Sequence, residues 1–100
     1  MMRPLTTAES FLPGEALVKQ GLADLAAGRE TDCALLLRIA APRLRRLGIP
    51  IRAEASPLPW EHALYDRLES RLGPAAHSYY NSLIRRIVSF AHALEQSIRR

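Results

Sequence analysis

Residues 74–100 read PAAHSYYNSLIRRIVSFAHALEQSIRR. Within them Tyr80, Ile84, Ile87, Ala91, Leu94 and Ile98 recur at alternating steps of four and three. That spacing stacks side chains in one stripe along an α-helix and matches no strand period. Leu83 and Phe90 widen the stripe into a broad apolar face, which something in the chain or on a partner must cover. The stretch therefore predicts a long amphipathic helix from about Pro74 to near the C-terminus.

Working back along the chain, Gly73-Pro74 is a sharp break, because glycine frees the backbone and proline lacks the donor a helix needs. Before it, Trp60, Leu64, Leu68 and Leu72 form the stripe of a third helix, Pro59–Leu72. Gly48 to Pro59 holds Pro50, Pro57 and Pro59 and no helical period, so it reads as a Pro-rich loop. Ile49, Ile51 and Ala53 alternate, which allows a short extended stretch. A second helix runs from a Thr31 cap, with Asp32 in its first turn, to Gly48. Cys33, Leu36, Leu37, Ala40, Leu44 and Leu47 make its main face, and Leu35 and Ile39 lie opposite. Pro42 is expected to kink this helix or end its first segment near Ala41. A first helix spans about Pro13–Ala27, with Leu17, Val18, Gly21, Leu22 and Leu25 on one face and Gly28 as its cap.

The fold class that follows is all-α: a small four-helix bundle-like domain with a Pro-rich loop between the second and third helices. One hundred residues suit one domain. That domain is expected to span residues 1–100, with 1–12 as a flexible or extended N-terminal segment. Hydrophobic residues make up 48% of the chain and aromatics only 6%. The core should thus be aliphatic, and its best candidates are Leu36, Leu37, Ala40, Leu64, Leu68, Ile84, Ile87 and Leu94.

Charge and cysteine usage narrow the setting. The net charge is +4, carried by thirteen arginines and one lysine, the skew of a GC-rich coding bias. Such a charge permits an acidic partner but does not require one. Cys33 is the only cysteine, so no internal disulfide can form. Together with an N-terminus lacking a signal-type apolar segment, this points to the cytoplasm. No apolar run approaches the ~18–20 residues of a membrane span.

Few residues suggest chemistry. His62, Asp66 and Glu69 share one helical face, but nothing near them completes a metal-ligand set. Neither a metal nor a cofactor is expected. Cys33 sits on an apolar face and reads as a small core residue rather than a nucleophile. The Tyr79-Tyr80 pair reads as packing. Arg43, Arg45, Arg46 and Arg52 cluster near the end of the second helix, where cations complement the helix dipole and could also hold phosphates. Arg85, Ser89, His92, Gln96 and Arg99 form the polar stripe of the last helix. The possible anion-binding set is therefore Arg43, Arg45, Arg46, Arg85, Arg86 and His92.

Two resemblances can be stated. Gly21, Gly28 and Ala40 fall where a tetratricopeptide hairpin places two glycines and an alanine. The likeness covers about a third of the chain. Leu17, Asp24 and Leu37 replace the motif's aromatics and no second copy follows, so it implies a tight helix pair only. Arg86 and His92 resemble the loose Arg-x4–6-His pattern of HEPN-type RNases. That resemblance implies a small helical domain acting on RNA.

Two functions are therefore expected from the sequence. The first is a non-catalytic helical protein-interaction module that associates with itself or with another helical protein. It rests on the surplus apolar faces, with Leu35, Ile39, Leu83 and Phe90 as the interface. The alternative is an RNA- or phosphate-binding or -cleaving domain built on the arginine and histidine set.

Overall fold

The computed structural model describes residues 12–51 and 59–99. The chain is compact and all-helical, with no strand among the described residues. Helix α1 spans Glu15–Ala26, α2 Asp32–Arg46, α3 Trp60–Leu72 and α4 Ala76–Ile98. A 3-10 turn over Gly73–Ala75 joins α3 to α4 directly. Helical geometry is thus continuous from Trp60 to Ile98, and the chain has three separate helical bodies rather than the expected four. The sequence signal at Gly73-Pro74 was read as a full stop. In fact Gly73 turns the chain at φ 58°, a value that L side chains rarely adopt, and Pro74 starts the next turn. None of the described helices is long and apolar enough to cross a membrane.

Local chemistry sets the helix ends. Thr31 is the N-cap of α2, and its hydroxyl accepts from the Ala34 amide at 3.1 Å. Helix α1 starts at Glu15, two residues later than expected, because Glu15 caps the chain before it. Its Oε1 accepts from the Leu12 amide at 2.9 Å, and this bond holds its carboxyl below the usual range. Pro42 lies inside α2 and does not end it. One backbone bond is lost there, while Ala41 and Leu44 on either side stay buried and hold the helix together. Residues 1–11, and positions 52–58 of the Pro-rich loop, lie outside the described residues, so the expectations for the N-terminal segment and for Ala53 are not addressed. Ile51, at the loop's start, is buried in the core.

The organising feature is the placement of α2. Ala34, Leu35, Leu36 and Leu37 are each 2% exposed or less. Successive helical residues step by about 100°, so four in a row sample nearly the whole circumference. The first half of α2 is therefore enclosed on all sides, by α1, α3 and α4. This corrects the expectation that three neighbours could not surround it. They can because Gly21 presents no side chain, which lets α1 lie against the Cys33 carbonyl and Leu37. The core then gathers Leu17 and Val18 of α1, Leu44 of α2, Leu64 and Leu68 of α3, and Leu83, Ile87 and Phe90 of α4. Ala40, Ile84 and Leu94, expected in the core, are only half-buried against it. The core-facing line of α4 is centred on Leu83, Ile87 and Phe90, and Ile98 is 56% exposed.

Two carboxylates lock the helices together. Asp24 is 3% exposed. Its Oδ2 accepts from the Thr31 hydroxyl at 2.6 Å. Its Oδ1 accepts from Gln20 Nε2 at 3.0 Å and from Arg29 Nε and Nη2 at 3.2 and 3.0 Å. Asp32, in the first turn of α2, receives Arg67 Nε at 2.9 Å and Arg71 Nη2 at 2.7 Å from α3. The Thr31 hydroxyl above all, and then Arg29, hold Asp24 below the ordinary aspartate value of 3.8. Arg71, followed by Arg67, does the same for Asp32. A depressed folded-state value means the stabilisation is complete above that ordinary value and is lost as pH falls through the lower folded-state values. The urea midpoint is therefore expected to hold steady at mildly acidic pH and to fall steeply below about pH 4. The Asp24→Asn/Asp32→Asn variant should have a lower midpoint at neutral pH and a flatter acid limb. An acid limb as steep as that of the wild type would show that other groups govern acid unfolding.

Candidate functional site

Three of the four residues expected to form an interface are inside the chain. Leu35 and Leu83 are 2% exposed and Phe90 is 5% exposed. Their apolar surface is already covered by neighbouring helices, so they offer nothing to a partner. Ile39 is half-buried and packs on the same core. The large apolar residues that do remain exposed, Tyr79, Val88 and Ile98, do not make one face. Tyr79 and Val88 are nine residues apart and so on opposite sides of α4.

The possible anion-binding residues do not converge. Arg43 crosses from α2 to α4, but its Nη2 meets Glu95 Oε1 at 3.3 Å. Arg45 and Arg46 are exposed in the last turn of α2. Arg85, Arg86 and His92 are exposed on α4. Arg85 and His92 share a side two turns apart, whereas Arg86 lies about 120° round the helix from His92. Arg52 lies outside the described residues. Cys33 is half-buried, and burial first, then the charges of Asp24 and Asp32, push its thiol up. That suppresses the thiolate a nucleophile needs. Of the proposed metal face, His62 and Asp66 form an exposed pair at 3.6 Å. No group of three or more His, Cys, Asp or Glu side chains is placed to hold a metal among the described residues.

What the structure does assemble is a groove between the start of α3 and the start of α4. Pro59, Glu61, His62, Tyr65, His77, Tyr80 and Asn81 line it. The turn at Gly73 folds α4 back along α3, which brings Tyr65 beside the first turns of α4. The Tyr65 ring stands at 84° to that of Tyr80, with centroids 5.5 Å apart, and at 78° to the His77 ring at 6.4 Å. Edge-to-face rings at these separations attract one another through their quadrupoles. Asn81 Nδ2 lies 3.2 Å from His77 Nε2. An amide nitrogen can only donate, so Nε2 accepts and the proton of the His77 ring sits on Nδ1. Burial pushes the Tyr80 hydroxyl up, and the Glu61 carboxylate adds to that, so the Tyr80 phenol stays neutral and able to donate.

The sequence carried a trace of this groove, because Tyr65, His77 and Tyr80 sit near the only break between two long helices. What it did not carry was the angle of that break. Without it, Tyr65 and Tyr80 are merely two residues on separate stripes. Against protein family models, curated proteins and solved structures, the chain has no match.

Proposed function

We propose that the chain is a four-helix bundle-like domain, with α3 and α4 counted as two members, that works as a non-catalytic protein-interaction module. The observation that supports this reading is the α3–α4 groove. It keeps two tyrosines, two histidines and an asparagine at an open concave surface, while the aliphatic core closes without them. Aromatic residues with polar tips are what binding surfaces use, since they combine apolar area with hydrogen bonding at small entropic loss. The partner's contact is expected here rather than on Leu35, Leu83 or Phe90.

Photo-crosslinking in cells tests the proposal. A benzophenone side chain placed at His62 or Asn81 should give one discrete adduct, and Glu61→Lys should remove it. The same probe at Glu30, an exposed position between α1 and α2, should give none. An adduct of twice the chain's mass would make the partner a second copy. Equal labelling from Glu30 and the groove positions would contradict the proposal. Salt-sensitive RNA cleavage that disappears in His92→Ala, with the fold intact, would replace it with the RNA-acting alternative.

A further inference from the structure

The lining of the groove specifies more than a generic contact. The chain carries thirteen arginines and a lysine, yet none of them lines this groove. The charged side chain that does is Glu61, joined by two imidazoles. His77 is held neutral in the geometry seen, with Nε2 facing the Asn81 amide at 3.2 Å. His62 is offset by Asp66, 3.6 Å away. The local balance is therefore acidic within a basic protein.

The walls are aromatic and set as a corner. Tyr65 on α3 is nearly perpendicular to both Tyr80 and His77 on α4. A group entering between α3 and α4 meets ring surface on two sides. Ring faces carry negative quadrupole potential, which attracts a cation held within about 6 Å of the centroid. A carboxylate at the rim adds a full charge of the same sense. An anion would meet both with repulsion. A neutral apolar group would gain contact area but nothing from the charge.

From this corner, its carboxylate and the absence of any lysine or arginine in the lining, we propose that the α3–α4 groove is a binding site for an alkylammonium group. That group is supplied either by a lysine side chain of a partner protein or by a free quaternary amine. Tyr65 and Tyr80 form the aromatic walls and Glu61 is the counter-charge. The inference rests on the reading of the groove as the domain's contact surface and names the chemistry it takes.

Amide NMR titration of the full chain tests it with three probes: tetramethylammonium, N-acetyl-lysine methylamide, and 3,3-dimethylbutanol as a neutral compound of similar bulk. Both cations are expected to shift the Tyr65, His77 and Asn81 signals saturably, and the alcohol is not. A tighter response to tetramethylammonium assigns the site to a free amine, and a tighter response to the lysine derivative assigns it to a partner side chain. Glu61→Gln should weaken the cation response roughly three- to tenfold, as loss of one partly solvated charge predicts. Tyr65→Leu should abolish it with the circular dichroism spectrum unchanged. Glu61 is exposed, so its variant keeps the test decisive even if Tyr65→Leu fails to fold. An equal response to the alcohol, no saturable shift at all, or full binding in Glu61→Gln overturns the assignment. Loss of the cation response with groove crosslinking intact would refute the cation chemistry alone, whereas loss of both would refute the contact surface itself.

Discussion

Leu35→Lys is expected to unfold the domain at room temperature. Leu35 is 2% exposed and sits within the enclosed half of α2. A lysine there must either bury an unpaired ammonium or push a neighbouring helix away, and the side chains of α1, α3 and α4 that close around α2 leave it no route to water. Changes of this kind destabilise by about 4–5 kcal/mol or more. A domain of this size has only about 5–15 kcal/mol in total. Ile39→Lys provides the contrast. Ile39 is half-buried at the edge of the core, so the lysine stem can lie on apolar surface while its ammonium reaches solvent. Its loss should stay near 1 kcal/mol, with the fold kept. Urea unfolding followed by circular dichroism distinguishes the two. A folded Leu35→Lys variant with reduced molecular mass would show that this residue faces a second chain instead.

Gly21→Ala is expected to be destabilising, although alanine is the better helix former. In an exposed helix interior the exchange gains about 1 kcal/mol. At position 21 a Cβ would stand 2.7 Å from Leu37 Cγ and 2.8 Å from the Cys33 carbonyl oxygen. Leu37 is fully buried and cannot swing away. The carbonyl belongs to the helix backbone and cannot yield without moving α2. Overpacking of this kind costs about 1–3 kcal/mol or more, which exceeds the gain from propensity. Gly21→Val, with two further methyl groups, should lose more than Gly21→Ala. If Gly21→Ala raises the thermal midpoint, α1 does not lie as close to α2 as this fold requires.

These two positions show how far the sequence could be read. The helical stretches were legible because the apolar spacing and the Gly and Pro breaks act locally. The Thr31 cap was legible for the same reason. The role of Gly21 was visible only as half a hint, through its tetratricopeptide-like spacing to Gly28. In place of one of that motif's aromatics stands Asp24, now seen as the buried acceptor for Gln20, Arg29 and Thr31. A carboxylate with three donors from one short turn leaves no periodic signature. The doubly apolar α2 was read correctly as a helix covered on two sides. Its covering was assigned to a partner because a sequence does not reveal how closely two helices approach. The groove was missed for a similar reason, since Tyr65 and Tyr80 come together only through the turn at Gly73.

The account turns on α2 being enclosed by its own chain, and amide hydrogen exchange across a dilution series tests that most directly. If α1, α3 and α4 supply the whole enclosure, the amides of Leu36 and Leu37 should be among the slowest to exchange. Their rates should not change from concentrated to dilute solution, with light scattering reporting a single chain at the dilute end. Protection that falls on dilution, in step with a falling mass, would mean that a second chain completes the core and would contradict the fold described above.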